Sequence, residues 1–296
     1  MGFIYWVASY PKSGNTWMRA FLTSLVGGGL KNGLQELGEV IPPAGSGVFY
    51  QPVLKKPIAQ ATNTELALAR PRVHRRLAKE TQNFLLLKTH AMVAVHRGTH
   101  TVTPDVTAGA IYIVRNPLDV VISASEYRNR GIDRTIELLN TSGRELERPV
   151  HGISEPSGSW KENVESWTKP HPRVAVVRYE DLLEDPTKVF SGVVKHLKMQ
   201  ASPEQIEKAI ADSSFESLKA QEQSTGFQER PGTARAFFRS GRAGEWRERL
   251  SSEQVAAIAI PNEAPMRRFG YWLEEFDDLA GRRTASADLV GQTGGT

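Results

Sequence analysis

The stretch from Phe3 to Leu25 constrains this chain more than any other. Phe3 to Ala8 is an apolar run that reads as a short buried strand, and it stops at Ser9-Tyr10-Pro11-Lys12-Ser13-Gly14-Asn15, a loop of turn-forming residues. Thr16 then opens a helix with Met18, Phe21, Leu22 and Leu25 at the i, i+3, i+4, i+7 positions of one face. A strand, a tight loop with a lysine, a glycine and hydroxyls, and a helix N-terminus together make an oxyanion site. The loop amides point inward, the helix dipole favours negative charge, and Lys12 adds a full positive charge.

Three more apolar runs repeat the theme. Ala110 to Val114 is a second buried strand, followed by Arg115-Asn116-Pro117-Leu118-Asp119. Pro117 suits the first turn of a helix and Asp119 its positive end, while Asp119 and Ser123 share a face four residues apart. Arg115 falls at the strand's exit, where ligands collect in open α/β sheets, although it could equally cap a carbonyl or pair with Asp119. Phe84 to Leu87 forms a third strand with Lys88 and His90 at its C-terminal end, and Val174 to Val177 forms a fourth that leads into Tyr179-Glu180-Asp181. A lone histidine is usually a satisfied structural group, but a strand terminus two residues after a lysine sets His90 apart. Strands alternating with helical patterns predict an α/β fold, a single domain with a mainly parallel sheet flanked by helices. That domain spans residues 1–280, and the small, polar segment 281–296 reads as a disordered tail.

The first loop is not the G-x-x-x-x-G-K-[ST] loop of ATPases and GTPases, because its glycine follows the lysine. The order Tyr10-Pro11-Lys12-Ser13-Gly14-Asn15-Thr16-Trp17 closely resembles the 5′-phosphosulfate loop of sulfotransferases that use 3′-phosphoadenosine 5′-phosphosulfate (PAPS). That loop reads Tyr-Pro-Lys-Ser-Gly-Thr-Thr-Trp in the cytosolic members, so Asn15 stands in place of a threonine. The resemblance continues through Lys88-Thr89-His90, through Arg115 and Ser123 at a matching spacing, through Tyr179-Glu180-Asp181, and through Ser213-Ser214-Phe215. It ends in Arg239-Ser240-Gly241-Arg242-Ala243-Gly244-Glu245-Trp246, similar to the family's Arg-x-Gly-x-x-Gly-x-Trp loop, with Ser240 in place of a basic residue.

What the resemblance implies is specific. It implies a P-loop-NTPase-like sulfotransferase fold and PAPS as cofactor, with no metal and with the corresponding bisphosphate, PAP, as product. His90 is the general base, suited to it by a pKa that leaves imidazole neutral yet basic near pH 7, and Lys12 and Lys88 stabilise the charge of the transfer. Lys12, Ser13, Gly14, Asn15, Thr16 and Trp17 hold the cofactor, Trp17 by stacking on the base. Arg115 and Ser123 take its 3′-phosphate with Arg239, Ser240 and Gly241, and Tyr179, Ser213 and Phe215 reach the adenine. Phe215 and Trp17 read equally as core aromatics. The missing glycines argue against a nucleotide kinase or NTPase, although Ser13 follows Lys12 and Asp181 lies near a strand end; insensitivity to EDTA separates the two readings. A non-catalytic nucleotide-binding protein would not need Lys12, Lys88 and His90 together. The segment Gly158 to Thr168 is most similar to bacterial sulfotransferases of natural products.

Composition narrows the partners. A chain of 296 residues, 40% hydrophobic, with a formal charge of +4 and a pI of about 9.2, suits a polyanionic nucleotide without implying nucleic acid. With 0 cysteines no thiol chemistry is available. His96 and His100 are four apart, but Gly98 between them argues against a metal pair. No basic n-region and no apolar stretch of about 20 residues is present, so a cytoplasmic enzyme with no membrane contact is expected. The dimer motif of many cytosolic members is missing from Trp246 to Ala256, which leaves a homodimer open. The acceptor is expected to be a small molecule or natural product with a hydroxyl. Residues 27–60, 129–159 and 221–236, mixed-polar loops, are expected to form its cleft and a mobile lid.

Overall fold

A computed structural model describes residues 2–147, 152–169 and 173–278. Four parallel strands, β1 (Phe3–Ser9), β2 (Phe84–Thr89), β3 (Thr107–Val114) and β4 (Val174–Arg178), make one sheet in the order β2-β1-β3-β4. β1 is central because both neighbours pair with it in register. Ala8 lies opposite Thr89 on one side and Tyr112 on the other, and Val114 lies opposite Arg178. All four carboxyl ends therefore open at one edge of the sheet, each followed by a loop that carries one of the motifs.

Alternation along the strands divides the core in two. Trp6, Ala8, Leu87, Tyr112 and Val114 face one layer with Trp160, Trp246 and Tyr271. Val7, Leu86, Ile111 and Ile113 face the other with Phe21, Leu22, Phe190 and Ile206. α1 (Asn15–Gly27), α6 (Pro186–His196) and α7 (Pro203–Asp212) cover the second face. α2 (Asn63–Glu80), α3 (Pro117–Tyr127), α4 (Ile132–Asn140) and α5 (Trp160–Thr168) cover the first. α8 (Phe215–Thr225) and α9 (Ser252–Ala259) complete the chain order. A parallel sheet buried on both faces is thus present, and the four strands lie where the apolar runs placed them.

The structure corrects three sequence readings. Residues 129–159 are not a plain loop: they contain α4, whose Thr135, Ile136 and Leu139 are buried. Residues 27–60 fold into short helical turns, Glu36–Val40 and Gly47–Tyr50 among them. Residues 221–225 belong to the last turn of α8. His96 and His100 sit on opposite strands of a two-stranded hairpin, and His96 Nε2 meets Glu145 at 2.9 Å. The boundary at 280 and the tail 281–296 lie outside the described residues.

Gly109 shows how tightly the sheet's amino edge is built. A Cβ there would stand 2.4 Å from the Arg173 carbonyl oxygen and 2.7 Å from Tyr5 Cζ, and the Tyr5 hydroxyl lies 2.6 Å from His196 Nε2. Gly109→Ala is expected to destabilise the protein by about 1–3 kcal/mol, the usual cost of overpacking, and to lower the melting temperature by several degrees. An unchanged melt would mean that the Tyr5 ring and the strand give way freely.

Candidate active site

At the carboxyl edge of the sheet the loops enclose a cavity of about 730 Å³. Fifteen of the sixteen residues expected from the sequence line it: Lys12, Gly14, Asn15, Thr16, Trp17, Lys88, His90, Arg115, Ser123, Tyr179, Ser213, Phe215, Arg239, Ser240 and Gly241. Ser13 is in the same loop but fully buried, and its Oγ has no hydrogen-bond partner.

The first loop turns sharply. Lys12 at φ 68° and Gly14 at φ 101° are both in the left-handed region, and Gly14 is also the N-cap of α1. A Cβ on Gly14 would stand 2.7 Å from Tyr179 Cδ2, so the loop lies directly on that ring. Asn15, in place of a threonine, makes hydrogen bonds through its amide. Its Nδ2 donates to the Val7 carbonyl at 3.0 Å and to Ser9 Oγ at 3.3 Å, tying the loop to the strand it leaves. Trp17 packs edge-on against Tyr179 and Phe190.

Lys12 has no carboxylate on its ammonium. Nζ lies 4.0 Å from the centroid of Tyr127 and 4.2 Å from that of Phe237. Burial, reinforced by the positive charges of Arg115 and Arg128, pulls its pKa down to about 7 against the smaller pull of Glu229. Arg115 does not pair with Asp119. It donates to the Lys12 carbonyl at 3.2 Å and the Arg242 carbonyl at 3.0 Å, its guanidinium lies 4.2 Å over the Tyr179 ring, and its Nε has no partner. Asp119 instead accepts from the Gly244 and Trp246 amides at 2.7 and 3.2 Å, which clamps the second loop against α3.

That second loop is heavily paired. Arg239 forms ion pairs with Glu126 and Glu245, and Ser240 Oγ donates to Glu245 at 2.9 Å. Ser213 Oγ donates back to the Ala209 carbonyl at 2.8 Å, Ser214 caps α8, and Phe215 packs directly against Gly241. A left-handed loop at a helix N-terminus, and, among the described residues, a buried Ser13 hydroxyl, a Lys12 ammonium and an Arg115 Nε without polar partners fit a phosphorylated, polyanionic ligand. Among the described residues no group of three or more His, Asp or Glu side chains is placed to hold a metal ion, and no helix is long and apolar enough to cross a membrane.

His90 follows β2 and lies against the end of β1. Its Nδ1 is 2.9 Å from the Ser9 carbonyl oxygen, which can only accept, so Nδ1 carries the proton and Nε2 the lone pair. Burial and the charge of Lys88 pull its pKa down to about 4, against weaker opposing contributions from Glu155, the Ser9 bond and Glu229. The imidazole is therefore neutral across the ordinary pH range.

Sequence reasoning missed several residues here. Arg19 is fully buried on α1, donating to the Leu37 and Ile41 carbonyls and to Glu229 at 2.5 Å. Glu229 in turn lines the cavity, and the fields of Arg19 and Lys88 with the Arg19 bond hold its pKa near about 2 against the pull of burial. Glu222 is buried and accepts from the Phe237 and Phe238 amides at 2.7 and 2.9 Å. Arg19 left a signal, a charge flanked by apolar positions in α1; the glutamates left none.

A parallel α/β sheet with two oxyanion-binding loops on its carboxyl edge is the architecture of a protein that grips a phosphorylated nucleotide. The family model described as "Sulfotransferase domain" matches residues 5–270, and the chain belongs to the sulfotransferase family. It is 25% identical over 248 residues to sulfotransferase 1E1 of Rattus norvegicus, covering 81% of this chain and 76% of that one. It is 26% identical over 256 residues to sulfotransferase 1A1 of Bos taurus, covering 84% and 78%. In fold it is similar to retinol dehydratase in complex with androsterone and the inactive cofactor PAP, with a TM-score of 0.61 and 19% identity over 89% of this chain and 80% of that one. It is also similar to mouse sulfotransferase SULT7A1 complexed with PAP, with a TM-score of 0.57 and 20% identity over 96% and 89%.

The Lys12 environment makes cofactor binding a proton-linked event. Free Lys12 is about half protonated at pH 7 and about one-tenth at pH 8, and an anion beside it restores its charge. Binding of PAP at pH 8 is expected to take up close to one proton, falling toward zero at pH 6 as Lys12 becomes charged beforehand. Calorimetry in buffers of different ionisation enthalpy measures this, and Lys12→Met serves as the control. Binding at pH 8 without proton uptake would exclude Lys12 from the anion site.

Proposed function

We propose that this chain transfers the sulfuryl group of PAPS to a hydroxyl of a small-molecule acceptor, with His90 as general base. The observation that carries the reading is the His90 tautomer. The Ser9 carbonyl fixes Nδ1–H, and the remaining lone pair belongs to a ring lining the same cavity as Lys12 and Lys88. PAPS supplies the activated sulfuryl group and departs as PAP. His90 Nε2 accepts the proton of the acceptor hydroxyl, Lys12 and Lys88 offset the charge developing across the transfer, and the neighbouring loops exclude water. Arg115 and Ser123, with Arg239, Ser240 and Gly241, hold the 3′-phosphate; Trp17, Tyr179, Ser213 and Phe215 hold the adenine. Arg239 takes that role by exchanging its glutamate partners for the phosphate. The kinase reading loses its remaining carboxylate, since Asp181 pairs with Arg178 at 2.9 Å and is not part of the cavity wall.

The acceptor enters beside His90, between the segment around Pro43–Ser46, α4 with residues 144–147 and 152–155, and the loop carrying Glu229. Retinol dehydratase, similar in fold, is in complex with androsterone in one structure and with retinol in another. A natural product of similar size, as for the bacterial enzymes that the 158–168 segment resembles, suits the cavity.

His90→Ala is expected to lower turnover by about two to four decades while PAP still binds. The pH dependence carries the sign of both shifts. His90 accepts a proton only when neutral, so the acid limb of kcat/KM for PAPS is expected near pH 4 rather than 6.5. Lys12 acts as a cation, so the alkaline limb is expected near pH 7 and disappears in Lys12→Arg. An acid limb at 6.5 with full activity of His90→Ala would remove His90 from the mechanism.

The loop after α8 reports on the lid. Phe237 touches Lys12, Glu229 touches Arg19, and the Tyr127 hydroxyl donates to the Glu229 carbonyl at 2.7 Å. Recruiting Lys12 to an anion disturbs all three contacts. Amides of residues 221–236 are expected to change their hydrogen-exchange rates at least several-fold on PAP binding. Equal rates with and without PAP would leave the segment a fixed wall.

A further inference from the structure

Removing one proton from one hydroxyl needs a single base, yet a second acceptor of protons stands beside His90. Glu155 lines the cavity with His90 and Lys88. Its Oε1 accepts from Thr89 Oγ1 at 2.6 Å and from the His90 backbone amide at 3.1 Å, so the carboxylate is fixed to the residue that carries the base. No hydrogen-bond donor among the described residues reaches Oε2. Burial pushes its pKa up, but the charges of Lys88 and His90 and the bonds from Thr89 and the His90 amide outweigh it, and the group stays ionised. An ionised carboxylate only accepts, so a ligand group seated on Oε2 must bring a hydrogen.

The surrounding charges say which kind of donor. Lys88 already balances Glu155, and Lys12 and Arg128 also face this cavity. An ammonium group would meet like charges there, whereas a neutral hydroxyl would not. Leu139, Leu146 and Ile153 on the neighbouring wall suit an apolar body behind it. The bonds from Thr89 and the His90 amide hold Glu155 against the segment that carries His90, and both side chains line the same cavity. Vicinal hydroxyl oxygens lie about one hydrogen-bond length apart, so one small ligand can address the imidazole and the carboxylate together. Resting on the transferase reading above, we propose that the acceptor carries a second hydroxyl vicinal to the one sulfated, as in a 1,2-diol or a catechol, and donates it to Glu155.

Binding to the PAP-loaded protein tests this without turnover, so its failure is distinguishable from failure of sulfuryl transfer, which the His90 assay reads. The probes are matched pairs: catechol against phenol, and 3-phenylpropane-1,2-diol against 3-phenylpropan-1-ol, titrated by calorimetry. In the wild type the dihydroxy member of each pair is expected to bind about tenfold or more tightly, the scale of a hydrogen bond to a charged group. Glu155→Gln can retain an oxygen for Thr89 and the His90 amide while turning the cavity-facing atom from acceptor to donor. It is expected to reduce each ratio to within about twofold, with PAP binding serving as the control for folding; Glu155→Val is the second variant should Gln fail that control. Equal affinities within the wild-type pairs, no binding by either pair, or a diol preference that survives both substitutions would overturn the proposal.

Discussion

The structure depends on the gathering of positive charge at one edge of a parallel sheet. Lys12, Lys88 and Arg115 face one cavity because three neighbouring strands end there side by side, and Arg239 joins them from the loop that Asp119 holds. Like charges so assembled repel in a low-dielectric setting, and the fold supplies counterions from distant parts of the chain. Glu229 answers Arg19 and Lys88, Glu155 answers Lys88, and Glu126 with Glu245 answers Arg239. Lys12 is left to two aromatic rings and to partial deprotonation. A polyanion therefore enters as a competitor for pairs already formed, and its net gain is greatest where pairing is poorest, at Lys12 and at the unpartnered Arg115 Nε.

Rigidity in the site comes from backbone contacts rather than from those charges. Asp119 uses both carboxylate oxygens on amides of the second loop, across 125 and 127 residues of chain. Asn15 ties the first loop to β1, and Arg115 bridges the two loops through the carbonyls of Lys12 and Arg242. The two oxyanion loops are thus fixed to each other before any ligand arrives, which spares the ordering cost of assembling them on binding. His90 follows the same logic. Its orientation is set by a carbonyl of the strand next to its own, so it is in place with or without an acceptor.

Much of this was legible in the sequence, for a physical reason. The strands are continuous apolar runs because both faces are buried, and the loops that follow them have to be short and polar to bind an anion. Local pattern and local function coincide there. Helix α4 was legible in pattern, since Ile132, Ile136 and Leu139 hold the i, i+4, i+7 spacing of one helical face, but it is only nine residues long and is set between the loop signals Gly131 and Ser142-Gly143. The counterions were not legible. Arg19 and Glu229 are separated by 210 residues, and nothing near Glu229 distinguishes it from a solvated glutamate. Ser213 could be placed at the cavity but not oriented, since its hydroxyl is directed by the preceding helical turn. Charge pairing across the fold leaves no periodic trace.

The distribution of polarity in the cavity bears on the chemistry that the acceptor brings. Around His90 the wall is charged and paired, with Lys88, Glu155 and Glu229. Farther along α4 and the residues around Leu146 and Ile153 it becomes apolar at Leu138, Leu139, Leu146 and Ile153. At the more exposed end, Arg128 and Arg130 share Glu147 at 3.6 Å, contacts too long to be strong hydrogen bonds. A ligand without a second donor leaves Glu155 Oε2 unpaired, although Oε1 keeps its bonds from Thr89 and the His90 amide. A purely polar acceptor would leave the leucine wall without a partner. The wall is thus polar at its His90 end and apolar along α4, a division that any ligand filling the cavity has to match.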